Sequence, residues 1–162
     1  MPSLQNGTYI IKCRVSQSHS YGDHQLFVGV DSKQPRGHRS GHVKEGTAII
    51  LVPKQKMMKV HVQNIGGDNY LITFAAHEAS GMSLGCDKNN LQKNNKVFVT
   101  KEQVEWAIDQ GSQQNCYHVQ VRESGMYWTV PDDAKENTQL KLEQLQGKQG
   151  QEWEFERIDR ED

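Results

Sequence analysis

Short runs of alternating apolar and polar residues, separated by polar turns, make up most of this chain. Three of the runs open alike: Asn6-Gly7-Thr8-Tyr9-Ile10-Ile11-Lys12-Cys13, Asp68-Asn69-Tyr70-Leu71-Ile72-Thr73-Phe74 and Asn115-Cys116-Tyr117-His118-Val119-Gln120-Val121. Each has a polar turn residue, a tyrosine, then apolar residues at every second position. Tyr9, Ile11 and Cys13 share one strand face, as do Tyr70, Ile72 and Phe74, and Tyr117, Val119 and Val121. Three related blocks are therefore expected, at about residues 6–66, 67–113 and 114–162. The first block should form strands over 7–13, 25–30, 47–52 and 59–63, and the second over 69–74, 82–86, 96–100 and 104–108. The third should form them over 116–121, 126–130, 139–145 and 153–158. Thr100-x-x-Gln103 also has the form of a helix capping box. The alignment of Val60-x-Val62, Trp106-x-Ile108 and Trp153-x-Phe155 as fourth strands favours a strand there. A block of four strands cannot bury its apolar face alone, and three blocks stacked around an axis can. The pattern thus predicts an all-β protein, a β-trefoil of twelve strands in three pseudo-repeats of four, occupying residues 1–162 as one domain.

Composition agrees. A hydrophobic fraction of 35 %, an aromatic fraction of 7 % and 14 glycines suit short strands joined by polar turns better than a helical bundle. The formal net charge is −1, with both signs interleaved, so neither nucleic acid nor a membrane surface is an expected partner. No stretch is apolar for long enough to span a bilayer. Met1-Pro2-Ser3-Leu4-Gln5 has no basic head or apolar run, so no secretory signal is read. The three cysteines, Cys13, Cys86 and Cys116, are too few for a disulfide framework, and Cys13 falls on the inward face as a small hydrophobe. A cytoplasmic monomer with reduced thiols is expected.

The opening Ser3-Leu4-Gln5-Asn6-Gly7-Thr8-Tyr9-Ile10-Ile11 resembles the start of the cospin- and cnispin-type serine-protease inhibitors of mushrooms. Trp128-Thr129-Val130-Pro131-Asp132 and the closing Trp153-Glu154-Phe155-Glu156 are similar to that family's pattern as well. The resemblance runs over nearly the whole chain and rests on structural repeat positions. It implies a β-trefoil that inhibits trypsin-like serine proteases through one exposed loop between the second and third strands of the first block. No motif of the family fixes the primary contact residue within that loop.

In this chain that connection is the longest irregular segment, Asp31 to Gly46, and its residues make a case of their own. A trypsin-like enzyme has a pocket with a carboxylate at its base and takes Arg or Lys. Gln34-Pro35-Arg36-Gly37 offers an arginine between a proline that restricts the chain and a glycine that permits close approach. A loop held in place before docking loses little entropy, and a rigid frame keeps a cut bond's amine near enough to rejoin. Arg36 is the first candidate for the primary contact, Arg39 the second and Lys33 the third, with Pro35 and Gly37 shaping the backbone. Against this stands a plain alternative, that a long Gly- and charge-rich segment is only a tolerated surface insertion.

Other candidates are weaker. Pro53-Lys54-Gln55-Lys56 reads as a solvated hairpin tip. Asn89, Asn90, Asn94 and Asn95 could offer an asparagine to an asparaginyl or cysteine protease, as related mushroom trefoil inhibitors do, but asparagine pairs are ordinary turn residues. His38 and His42 lie close in sequence without the third and fourth ligands of a zinc site, so no metal or cofactor is expected. His61 and His118 alternate with core positions and should face solvent. No Gly-x-Ser-x-Gly, phosphate loop or His-Glu-x-x-His occurs, and an enzyme is not expected. The rival reading is a carbohydrate-binding β-trefoil. Gln151-Glu152-Trp153 fits the Gln-x-Trp signature of ricin-type lectins, yet Gln103-Val104-Glu105-Trp106 is off by one and the first block has no tryptophan there. Of Tyr127 and Trp128, neighbours on one strand, one must face outward and could stack on a sugar.

Overall fold

The computed structural model describes residues 4–13, 26–30, 45–53, 56–75, 82–87, 95–111, 115–122, 124–131, 134–145 and 149–158. Its strands are β1 (Gly7–Cys13), β2 (Phe27–Val30), β3 (Ile49–Val52), β4 (Val60–Gly66), β5 (Asn69–Phe74), β6 (Ser83–Gly85) and β7 (Asn95–Lys96). They continue with β8 (Phe98–Thr100), β9 (Trp106–Gln110), β10 (Cys116–Val121), β11 (Met126–Thr129), β12 (Lys141–Gln144) and β13 (Trp153–Arg157). A short 3-10 turn, Gln149–Gln151, precedes the last strand.

Six strands close a barrel in the order β1-β4-β5-β9-β10-β13, with β13 returning to β1. Closure leaves no unpaired sheet edge to satisfy. Three antiparallel hairpins, β2–β3, β6–β8 and β11–β12, cap one end. This is a β-trefoil.

The register shows why the three openings matter. Tyr9 pairs with Val60, Tyr70 with Trp106 and Tyr117 with Trp153, the same step in each block. Within the hairpins Val28 faces Leu51, Leu84 faces Val99 and Trp128 faces Leu142. At the pseudo-threefold axis the backbone amide of Ile49 donates to Val97, that of Val97 to Leu140, and that of Leu140 back to Ile49, at 3.1, 3.1 and 3.0 Å. All three side chains are fully buried, so this ring satisfies backbone groups that could reach no water. It also accounts for thirteen segments on a twelve-strand plan. The third strand of the second block is interrupted at Val97, where it crosses the axis, and falls into β7, paired to β12, and β8, paired to β6. Residues 100–110 hold no helix: β8 ends at Thr100 and β9 begins at Trp106, two residues later than the alternation suggests.

The core centres on three tryptophans. Trp128 stands edge-on to Trp106 at 5.4 Å and to Trp153 at 5.8 Å between ring centroids, and all three are fully buried. Trp106 Nε1 donates to Leu84 O and Trp153 Nε1 to Trp128 O, each fourth-strand indole reaching the second strand of its own block. Trp128 lies on a second strand itself. Among the described residues its Nε1 has no hydrogen-bond partner. A smaller apolar cluster, Ile10, Phe27, Ile50 and Val52 with Ala48, Met57 and Ile158 against it, lies apart from the main core. The β2–β3 hairpin is therefore apolar on both faces, which explains the uninterrupted Ile49-Ile50-Leu51-Val52.

Candidate functional site

The hairpin that carries the long connection is braced at both of its strands. Val30, where β2 ends, lies opposite Ile49, where β3 begins, so the segment between them starts and finishes on one rung of the ladder. Gly29 lets the two strands approach. A Cβ there would stand 2.6 Å from one Val52 methyl and 3.0 Å from the other, which packing does not allow. Met58 N donates to Val28 O and draws the fourth-strand connection over the hairpin.

The returning end is stitched to the second block. Gly46 N donates to Val99 O at 2.7 Å and Val99 N to Thr47 O at 2.9 Å, while Ala48 bridges Phe98. Gly46 has φ +92, a left-handed conformation that glycine adopts at little cost. Just before it, Glu45 Oε2 accepts from Thr100 Oγ1 at 3.2 Å and from Lys101 N at 3.1 Å. Thr100 Oγ1 in turn accepts from Glu102 N. The threonine read as a capping-box residue therefore closes a local turn and holds a carboxylate from another block. Sequence reasoning missed this clasp. Its visible trace was only the pair Glu45-Gly46, an acid before a turn glycine.

Lys33, Pro35, Arg36, Gly37 and Arg39 all lie outside the described residues, as do His38, His42, Lys54, Asn89, Asn90 and Asn94. What the structure describes is the frame at both ends of the segment that carries the first five. Among the described residues, no group of three His, Cys, Asp or Glu is placed to hold a metal ion.

The lectin-like signature resolves into core packing. Trp153 is fully buried, and so is Gln151, whose Nε2 donates to Thr129 Oγ1 at 3.1 Å and to Gln144 O at 2.8 Å. Of Tyr127 and Trp128, the tryptophan is buried and the tyrosine is the half-buried one. Tyr127 accepts from Gln120 Nε2 and stands edge-on to His118 at 6.0 Å, so its rim is already in contact. Burial raises the Tyr127 pKa, with the nearby Asp109 adding to it. Asp109 is itself raised by burial and then by Asp68, while His118 opposes the shift. His61 is exposed and bonded to Thr8, whereas His118 is half-buried, 3.8 Å from Glu152.

At the barrel end opposite the hairpin cap, the three repeat tyrosines come together around the entering chain. Tyr70 donates to Leu4 O at 2.9 Å and Tyr9 to Gln5 O at 2.7 Å, while Leu4 itself is buried. Tyr9 and Tyr117 both meet Phe155 edge-on, at 5.9 and 5.5 Å. Arg157 reaches Gln5 Oε1, and Asn64 N donates to Asn6 Oδ1.

The family profile of peptidase inhibitor I66 matches residues 2–157, almost the entire chain. The chain belongs to the peptidase inhibitor I66 family. Among solved structures it is similar to a proteinase inhibitor from Coprinopsis cinerea, at 18 % identity and a TM-score of 0.64 over 96 % of this chain and 100 % of that one. It is also similar to a ricin B-like lectin from Macrolepiota procera, solved with lactose, at 15 % identity and a TM-score of 0.71 over 98 % and 100 %. The designed threefold-symmetric protein ThreeFoil matches at 14 % identity and a TM-score of 0.72 over 94 % and 99 %. At such identities these likenesses speak for the β-trefoil fold, which inhibitors and lectins share. No curated protein matches the sequence. Membership of family I66 implies a protease as the partner.

Proposed function

We propose that the chain is a reversible, substrate-like inhibitor of trypsin-family serine proteases, acting through the segment between β2 and β3 with Arg36 as its primary contact. Membership of the peptidase inhibitor I66 family carries this reading. The resemblance of residues 3–11, 128–132 and 153–156 to the cospin and cnispin type narrows it to serine proteases and to this connection. The frame fits the task. An inhibiting loop must present its bond without reorganising and must hold both new ends after a cut, and here each end of the segment rests on a hydrogen-bonded rung. Arg36 follows a proline and precedes a glycine, Arg39 is the second choice and Lys33 the third. The protein acts as a cytoplasmic monomer of one domain and takes no cofactor.

The test is titration of trypsin with the purified protein, followed by mass spectrometry after long incubation. Stoichiometric loss of activity with slow clipping after one basic residue between Lys33 and Arg39 is expected. Full trypsin activity beside an intact protein would overturn the reading and direct the search to cysteine and asparaginyl proteases, and to glycans.

A further inference from the structure

A cavity of about 390 Å³ opens at the barrel end opposite the hairpins, its lining including Tyr9, Tyr117, Phe155, Glu154, Glu156 and Arg157, with Leu4 and Gln5 beside them. That size accommodates a small ligand. Two of the three repeat tyrosines at this end have their hydroxyls occupied by peptide carbonyls, Tyr70 by Leu4 O and Tyr9 by Gln5 O. The third, Tyr117, is only 9 % exposed as a residue and lines the cavity, and its hydroxyl is not a sealed polar atom. Burial pushes its pKa up, so at neutral pH it is a protonated donor at the cavity wall.

The entering chain shows what such a hydroxyl takes. Leu4-Gln5 lays one aliphatic side chain into the barrel end and offers successive carbonyls to Tyr70 and Tyr9. The pseudo-threefold relation among the tyrosines repeats that acceptor position at Tyr117, where the cavity lies. Phe155, edge-on to Tyr117 at 5.5 Å, supplies an apolar wall. The lining carries Glu154, Glu156 and Arg157, and Glu156 is also paired with Lys12 at 2.7 Å, so neither sign stands alone there.

We propose that this cavity is a peptide-binding site, in which Tyr117 donates to a backbone carbonyl of a short segment whose aliphatic side chain rests against Phe155. Its lining shares no residue with the β2–β3 connection, and it is independent of the inhibitory reading. The barrel end thus holds two peptide carbonyls from its own chain and takes a third from a partner.

The test uses N-acetyl-L-leucinamide as the probe, followed by amide chemical shifts of the whole protein. Saturable shifts confined to the amides of residues 115–118 and 153–157 are expected. Tyr117→Phe keeps the ring and removes the hydroxyl. It should weaken the probe at least fivefold and leave the thermal midpoint unchanged. Tyr70→Phe breaks the bond to Leu4 O and should do the opposite, lowering the midpoint while leaving probe affinity unchanged. Absence of saturable shifts in the wild type would overturn the proposal. So would undiminished binding by Tyr117→Phe, or a fall in its midpoint like that of Tyr70→Phe, which would mean the hydroxyl already has a structural partner.

Discussion

A single arginine seated in a carboxylate-floored pocket is an interface hot spot, and losing one costs about 2–4 kcal/mol or more. Arg36→Ala should therefore weaken trypsin inhibition by about 100-fold or more, while stability stays within about 0.5 kcal/mol of wild type, as for a surface position away from caps and cores. Inhibition constants and urea midpoints measured on one preparation check both halves. Undiminished inhibition would pass the role to Arg39 or Lys33. Single residues differ in how well the sequence shows them. Tyr9, Tyr70 and Tyr117 stand out because a strand's period of two places each at the head of an inward row. What their hydroxyls do is invisible in the pattern, since Leu4 and Gln5 supply carbonyls that every residue owns. Gln151 is a case where a motif and its neighbours point apart. Its Gln-x-Trp fits the lectin signature in one block of three only, and its amide is spent on Thr129 and Gln144 inside the protein.

At the level of elements, the β2–β3 hairpin depends on a partner far away in sequence. The Glu45 carboxylate receives two bonds from a turn 55 and 56 residues later, which no local pattern could announce. Bonds to a charged acceptor are stronger than neutral ones, although this carboxylate is exposed and water competes. Glu45→Ala should lower stability by about 0.5–1.5 kcal/mol. It should also raise the rate of clipping by trypsin several-fold, because a returning end held only from Gly46 onward keeps the cut ends together less well. Glu45→Gln, which retains one acceptor oxygen, should fall between the two. Cleavage followed by mass spectrometry at matched inhibitor occupancy separates this from simple unfolding, and equal clipping of all three proteins would deny Glu45 any part in holding the segment. The strands themselves were easier to foresee, and β1, β5 and β10 run over the residues that their alternation marks. The interruption at Val97 was not foreseeable, because a strand crossing an axis keeps its apolar alternation while exchanging its pairing partners.

For the whole molecule, three blocks of unequal length close one barrel because their registers match where it counts, at the tyrosine row, the hairpins and the ring of Ile49, Val97 and Leu140. The β-trefoil was legible in the sequence since all three features repeat, whereas the contact residue of the β2–β3 connection was not, since it occurs once. Closing the barrel brings tyrosines into dry surroundings, and that sets its response to alkali. The Tyr9, Tyr117 and Tyr127 pKa values are each raised from 10.0, foremost by burial. A hydroxyl that is harder to ionise when folded gives up its proton first in the unfolded chain. The stabilisation is therefore complete below pH 10 and is lost as pH climbs toward the folded values, each group contributing up to about 1.4 kcal/mol per pH unit within its window. Half-buried Tyr127 should contribute least. Urea midpoints should accordingly stay level for these groups up to about pH 9 and fall above pH 10. Tyr117→Phe, with one such group removed, should show a shallower fall. A midpoint that holds steady between pH 10 and 11, or an equally steep fall in the variant, would mean that the barrel's tyrosines ionise as freely folded as unfolded.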